Sequence, residues 1–169
     1  MLSISEIVRK AQKLETEEAK IEWLRANDST PLRQLLICTY DSDRIKFLIP
    51  DEAPPYKPSE HLDSQGMLYR QLRKLQYVIE GEIQMNISQY KREHIFIEML
   101  ESVDKEDAEL LCEMIKQKPL TGLSANVINK AFGDIISKKF EEAPKVEKIE
   151  KAPAKVPAIK KAKRNVKEV

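Results

Sequence analysis

Apolar residues along this chain recur three and four positions apart, and polar residues fall where such runs would begin as helices. Ser3 and Glu6 form a capping-box pair ahead of Ile7, Val8, Ala11 and Leu14, which share one helical face. Thr16-Glu17-Glu18 starts a second short helix with Ile21, Trp23 and Leu24, ending near Asn27 and Asp28. Ser29 and Thr30 supply cap residues and Pro31 takes the first helical position, where its missing N–H costs nothing; Leu32, Leu35, Leu36 and Thr39 then share a face. Residues 45–49 read as a brief strand or an extended arm. The four prolines of residues 50–58 remove donors and fix φ, which forbids regular structure there.

The second half repeats the pattern. A helix is predicted over residues 66–80 on Leu68, Leu72, Leu75 and Ile79, with Gly81 placed to end it in a left-handed cap. Arg70, Arg73, Lys74 and Tyr77 lie on another face of it. Ser88 caps the next helix, whose buried stripe is Ile95, Phe96, Met99 and Leu100, with Lys91, Arg92 and Glu93 near its start. Asp104 and Asp107 open a helix carrying Leu110, Leu111, Met114 and Ile115. Thr121 or Ser124 starts a last one, with Val127, Ile128, Ala131 and Phe132, that stops near Gly133. No alternating run is long enough to found a sheet, so the pattern predicts an all-α fold: a compact domain of six or seven short helices with one proline-rich loop.

Composition sets the scale of that domain. The chain has 169 residues, 41% hydrophobic and 34% charged, enough for one core of ordinary size. Its apolar runs are far shorter than the roughly 20 residues of a membrane span, and its start lacks the charged-then-apolar order of a secretory signal. The expected location is the cytoplasm. The net charge of +1 conceals an asymmetry: from residue 138 onward there are 11 basic and 5 acidic residues, a net of +6, which leaves −5 for residues 1–137. Lysine, alanine and proline dominate that final segment, which cannot bury enough apolar surface to offset its ordering entropy. The expected organisation is a helical domain over residues 1–137 and a disordered basic tail over residues 138–169. The tail ends in a cluster, Lys160, Lys161, Lys163 and Arg164, that serves solubility, non-specific nucleic-acid contact by counterion release, or docking to a partner.

Local chemistry concentrates in residues 54–75. Pro54-Pro55-Tyr56-Lys57-Pro58 holds an aromatic and a cation in a stiff extended segment that loses little entropy on docking; the alternative is that Tyr56 packs back and the prolines only route the chain. Tyr69, Arg70, Arg73 and Lys74, joined by Lys91 and Arg92, make either a basic and aromatic patch for phosphates and bases or a solvated face laced with salt bridges to Glu80, Glu82 and Glu93. Catalysis has less to stand on. Two histidines, His61 and His94, lack the partners a nucleophile or a metal needs, and the four glycines are too scattered for a phosphate loop. Cys38 and Cys112 sit alone in apolar patterns and read as buried structural thiols. No catalytic, cofactor-binding or metal-binding residue is assigned.

The ordered blocks Pro31-Leu32-Arg33, Leu48-Ile49-Pro50, Pro54-Pro55-Tyr56-Lys57-Pro58, Gly66-Met67-Leu68-Tyr69-Arg70, Arg73-Lys74-Leu75, Arg92-Glu93, Phe96-Ile97, Met99-Leu100-Glu101, Asp107-Ala108 and Ala131-Phe132 carry a further signal. Over residues 1–135 the chain resembles a family of small proteins of tailed bacteriophages similar to phage T4, including cyanophages, whose function is unknown. That resemblance implies the cytoplasm of an infected bacterial cell and brings no reaction or ligand. The resulting expectation is a non-enzymatic accessory protein that binds a phage or host protein through Tyr56, Lys57, Tyr69, Arg70, Arg73 and Lys74, with auxiliary nucleic-acid contact through the tail. The alternatives are a nucleic-acid-binding accessory protein of phage replication or transcription, and a minor virion protein.

Overall fold

Polar caps divide the chain where the sequence pattern places them. A computed structural model describes residues 2–59, 68–81 and 86–137, which form α1 (Ile4–Lys13), α2 (Glu17–Ala26), α3 (Thr30–Tyr40), α4 (Leu68–Gln71), α5 (Gln89–Ser102), α6 (Lys105–Ile115) and α7 (Ala125–Phe132). Ser3, Thr16, Ser29, Ser88, Asp104 and Ser124 each accept a backbone N–H from the first turn of the helix that follows. Each satisfies a donor that would otherwise be orphaned, and such caps are worth about 1 kcal/mol. The Ser3–Glu6 box is reciprocal, and Ser124 rather than Thr121 starts α7. Pro31 sits one residue further in than expected, because Thr30 is already helical. The expected tail disorder, the cluster at residues 160–164 and His61 lie outside the described residues.

The one misjudged element is the helix expected over residues 66–80. Its described part is a single α-turn, α4, followed at once by a 3-10 helix, Leu72–Tyr77. The cause lies across the chain. Glu80 donates its N–H to Lys46 O (2.8 Å), and Val78 O accepts Leu48 N–H (2.8 Å), so Phe47 and Ile79 form an antiparallel bridge. An α-helix through residue 80 would have bound the Glu80 N–H to Gln76 instead. Gly81 therefore caps nothing, and residues 45–49 are an extended arm with one bridge. In the 3-10 part, three residues per turn align Leu72 with Leu75, both buried, and place Arg73 on the exposed side.

Packing joins the pieces into one core. The α2 helix lies on α7, α3 on α6, and α5 on both the 3-10 helix and α6. Leu35, Leu36, Leu72, Phe96, Met99 and Leu111 are among the buried side chains at the centre. Trp23 fixes α2 on α1 by donating its indole N–H to Ile7 O (3.0 Å), with Lys10 Nζ 3.8 Å from its ring centroid. Gly122 is required where it stands: its φ is +76°, and a Cβ there would lie 2.8 Å from Gln12 O.

Residues after α7 are sewn back to the body. The Asn129 side chain accepts Ile136 N–H (2.9 Å) and donates to Ile136 O (3.2 Å), which seats Ile136 in the core. Buried Asp41 accepts from the Ser137 N–H (3.2 Å) and hydroxyl (3.0 Å) and from Arg44. Burial pushes the Asp41 carboxyl up, but the Arg44 and Ser137 hydrogen bonds outweigh it and hold its pKa below the ordinary 3.8. A depressed folded-state pKa contributes stability that is complete above the unfolded value and is lost as pH falls through the folded one. Asp41→Asn should accordingly lower the urea midpoint at about pH 7 and shrink the loss of midpoint between about pH 5 and pH 2. An unchanged acid limb in the variant would show that Asp41 is not a source of that limb.

Candidate functional site

Residues 50–58 carry no regular structure, yet the loop is fixed along its length. At its entrance Gln89 Nε2 donates to Leu48 O (2.9 Å). Near its exit the Lys57 N–H donates to Glu101 Oε1 (3.1 Å). Between these points Tyr56 is half-buried against the core with its hydroxyl at the Cys112 thiol. Burial, the leading cause for both groups, pushes the Tyr56 phenol and the Cys112 thiol above their ordinary values, so neither ionises near neutral pH. The stiff segment is thus moulded onto α5 and α6, with Pro55, Lys57 and Pro58 facing solvent.

The opposing wall is a stripe of α5. Arg92, Phe96, Met99 and Leu100 turn inward and are buried, whereas Tyr90, Glu93, His94, Ile97 and Glu101 follow one another at i, i+3, i+4, i+7 and i+11 along the side facing the loop and solvent. Between loop and stripe runs an open groove of about 430 Å³, with Ile49, Ala53, Pro54, Phe96 and Ile97 as its apolar surface and the carboxylates of Glu52 and Glu93 beside them. That volume lies within the range of natural ligand sites. One turn before Glu93 stands Tyr90, 80% exposed, with the His94 ring parallel to it at 6.2 Å; His94 Nε2 is 3.4 Å from Glu98.

The residues singled out by sequence are split by this geometry. Tyr56 and Lys57 belong to the groove's loop. Tyr69 is half-buried elsewhere, its hydroxyl donating to Leu2 O (3.0 Å), and burial foremost, then Asp107 and Glu6, raises its pKa. Arg70 and Arg73 are exposed and Lys74 is half-buried, and among the described residues none of the three makes a hydrogen bond or an ion pair with Glu80 or Glu93. Glu82, the third acidic residue expected to pair with them, lies outside the described residues. Arg92 cannot join an exposed basic patch, because it is only 8% exposed. Its position on the inward side of α5, in register with Phe96 and Met99, is the reason. Lys160, Lys161, Lys163 and Arg164 lie outside the described residues.

Two features escaped the sequence reading. Ile97, Glu93 and Tyr90 were legible as the stripe beside the buried one, but only the loop lying along them makes that stripe a wall. Asp107 was read as a helix opener; it is fully buried, and its Oδ1 instead accepts the Ser5 N–H (3.0 Å) at the start of α1. Burial pushes the Asp107 carboxyl up, and Oδ2 has no hydrogen-bond partner among the described residues. That carboxylate caps α1 from a different helix, a structural task. Among the described residues no group of three or more His, Cys, Asp or Glu side chains could hold a metal ion, and no helix is long and apolar enough to cross a membrane. Both cysteines are free and buried, and burial pushes the Cys38 thiol up to about 12.

Fold and site together define a small all-helical domain with an acid-flanked apolar groove. The chain belongs to a family of unknown function, DUF6433, whose model matches residues 7–121, from α1 through the whole groove to the turn before α7. No curated protein and no solved structure matches it.

Proposed function

We propose that the protein is a non-enzymatic accessory protein of phage infection, working in the cytoplasm of the infected bacterial cell. It binds a phage or host protein at the proline loop and the groove beside α5, and touches nucleic acid through Lys160, Lys161, Lys163 and Arg164. The observation that carries this reading is the pinning of the loop: Leu48, Tyr56 and Lys57 are each held, so a partner meets a preformed surface and little ordering entropy is lost on docking. Apolar walls and a bare aromatic, Tyr90, are the features that dominate protein interfaces. The phage setting rests on the resemblance of residues 1–135 to small proteins of T4-like phages.

A second reading, a nucleic-acid-binding accessory protein of replication or transcription, is favoured by one observation, the exposed Arg70 and Arg73, which have no ion-pair partner among the described residues. Deletion of residues 138–169 separates the two. The deletion removes 11 of 29 basic residues, so binding to duplex and single strands should fall steeply and its salt dependence should flatten, while a protein partner still co-purifies from infected cells after nuclease treatment. Retained, salt-sensitive binding that then disappears in an Arg70→Ala/Arg73→Ala variant would favour the second reading instead.

A further inference from the structure

We infer that the groove between the proline loop and α5 is the seat of the chain's own segment Val156-Pro157-Ala158-Ile159-Lys160-Lys161-Ala162-Lys163-Arg164, which lies outside the described residues. Three observations carry this. The first is chemical complementarity. The groove presents apolar surface from Ile49, Ala53, Phe96 and Ile97 with Glu52 and Glu93 beside it, and Glu101 further along the same stripe. The segment presents Val156 and Ile159 immediately before four cations. The other aliphatic stretch of the tail, residues 146–151, contains Glu147 and Glu150, which the groove's carboxylates would repel.

The second observation is charge: the segment belongs to a tail of net +6 attached to a body of net −5. The third is reach. Ser137 is tied to Asp41, and Asp41 lies eight residues before Ile49, so the tail's root is within about 30 Å of the groove. From Ser137 to Val156 the chain spans up to about 60 Å, ample for the distance. Tethering makes the encounter intramolecular, at an effective concentration on the order of millimolar, so an affinity too weak to join separate molecules suffices, while a tighter-binding protein partner displaces the segment. A seated segment covers the surface proposed above for a protein partner and withholds Lys160, Lys161, Lys163 and Arg164 from nucleic acid. That consequence rests on the proposed function, whereas the seating does not.

Zero-length carbodiimide cross-linking of the full chain, read by mass spectrometry on a mixture of isotope-labelled and unlabelled protein, tests it. Links from Lys160, Lys161 or Lys163 to Glu52 or Glu93 should exceed links from the same lysines to Glu15, Glu18 or Glu22 by about tenfold, and should join residues of one copy. Ala53→Arg, which fills the groove from an exposed loop position, should abolish the excess. So should Ile159→Asp, which lies outside the helical domain and leaves its core intact. Links spread evenly over the body's carboxylates would overturn the proposal, as would links only between labelled and unlabelled copies, or an excess that survives both substitutions. Partner capture is a separate measurement, so either proposal can fail without the other.

Discussion

Phe96→Ala should lower the unfolding free energy by about 3–5 kcal/mol, the range for removing a large buried aromatic side chain. Phe96 is 1% exposed in the middle of α5, flanked on its inward face by Met99 and Leu100, which are also fully buried. Against a stability of about 5–15 kcal/mol for a domain of this kind, that loss is large. It should appear as a fall in urea midpoint with an unchanged slope, because the same surface is exposed on unfolding. Phe96 is also part of the groove's surface, so the variant loses structure where the site is built. Lys91→Ala, one turn earlier and exposed, should stay within about 0.5 kcal/mol of the parent. Comparable small effects for the two would mean that α5 faces the core with a different side.

Tyr40→Phe should cost far more than the single atom it removes would suggest. Its hydroxyl is buried, accepts the Leu120 N–H (3.0 Å) and donates to Leu123 O, tying the turn before α7 to the end of α3. Burial pushes the phenol up to about 12, so it remains a donor across the working pH range. Its removal leaves a buried N–H and a buried C=O without that partner, and each orphaned group costs about 1–3 kcal/mol. Phenylalanine fills nearly the same space, so a cavity does not contribute. The expected result is a loss of a few kcal/mol with faster amide exchange at Leu120; unaltered exchange there would show that the turn is held by other contacts.

Much of the fold was legible because local chemistry and burial agree. Ser3, Thr16, Ser29, Ser88, Asp104 and Ser124 announce helices by supplying the side-chain oxygens that orphaned N–H groups need, and the inward stripes of α1, α3, α5, α6 and α7 follow from spacing. What failed was decided at a distance. The helix over residues 66–80 gives way because Glu80 and Val78 bond to Lys46 and Leu48, thirty residues and more away, and no local pattern reports that pairing. Asp107 looked like a second opener because an acidic residue in a first turn suits the helix dipole; its partner, Ser5, belongs to another helix. The site shows the same division. Stiffness of residues 54–58 was readable from the prolines, but the groove needs α5 alongside, and Tyr56, expected as an exposed anchor or a packed residue, is the half-buried fastener of the loop.

That role makes Ala53, rather than Tyr56, the informative position for function, since Ala53 borders the groove while exposed to solvent. The central claim is that the proline loop and α5 form a protein-docking surface. Its most direct test is co-purification from infected cells, after nuclease treatment, of full-length protein and its Ala53→Arg variant at equal expression and equal thermal midpoint. The account predicts a discrete partner retained by the parent and lost from the variant, with the basic tail present in both. Retention of every partner by Ala53→Arg would contradict it and place the working surface elsewhere on the domain.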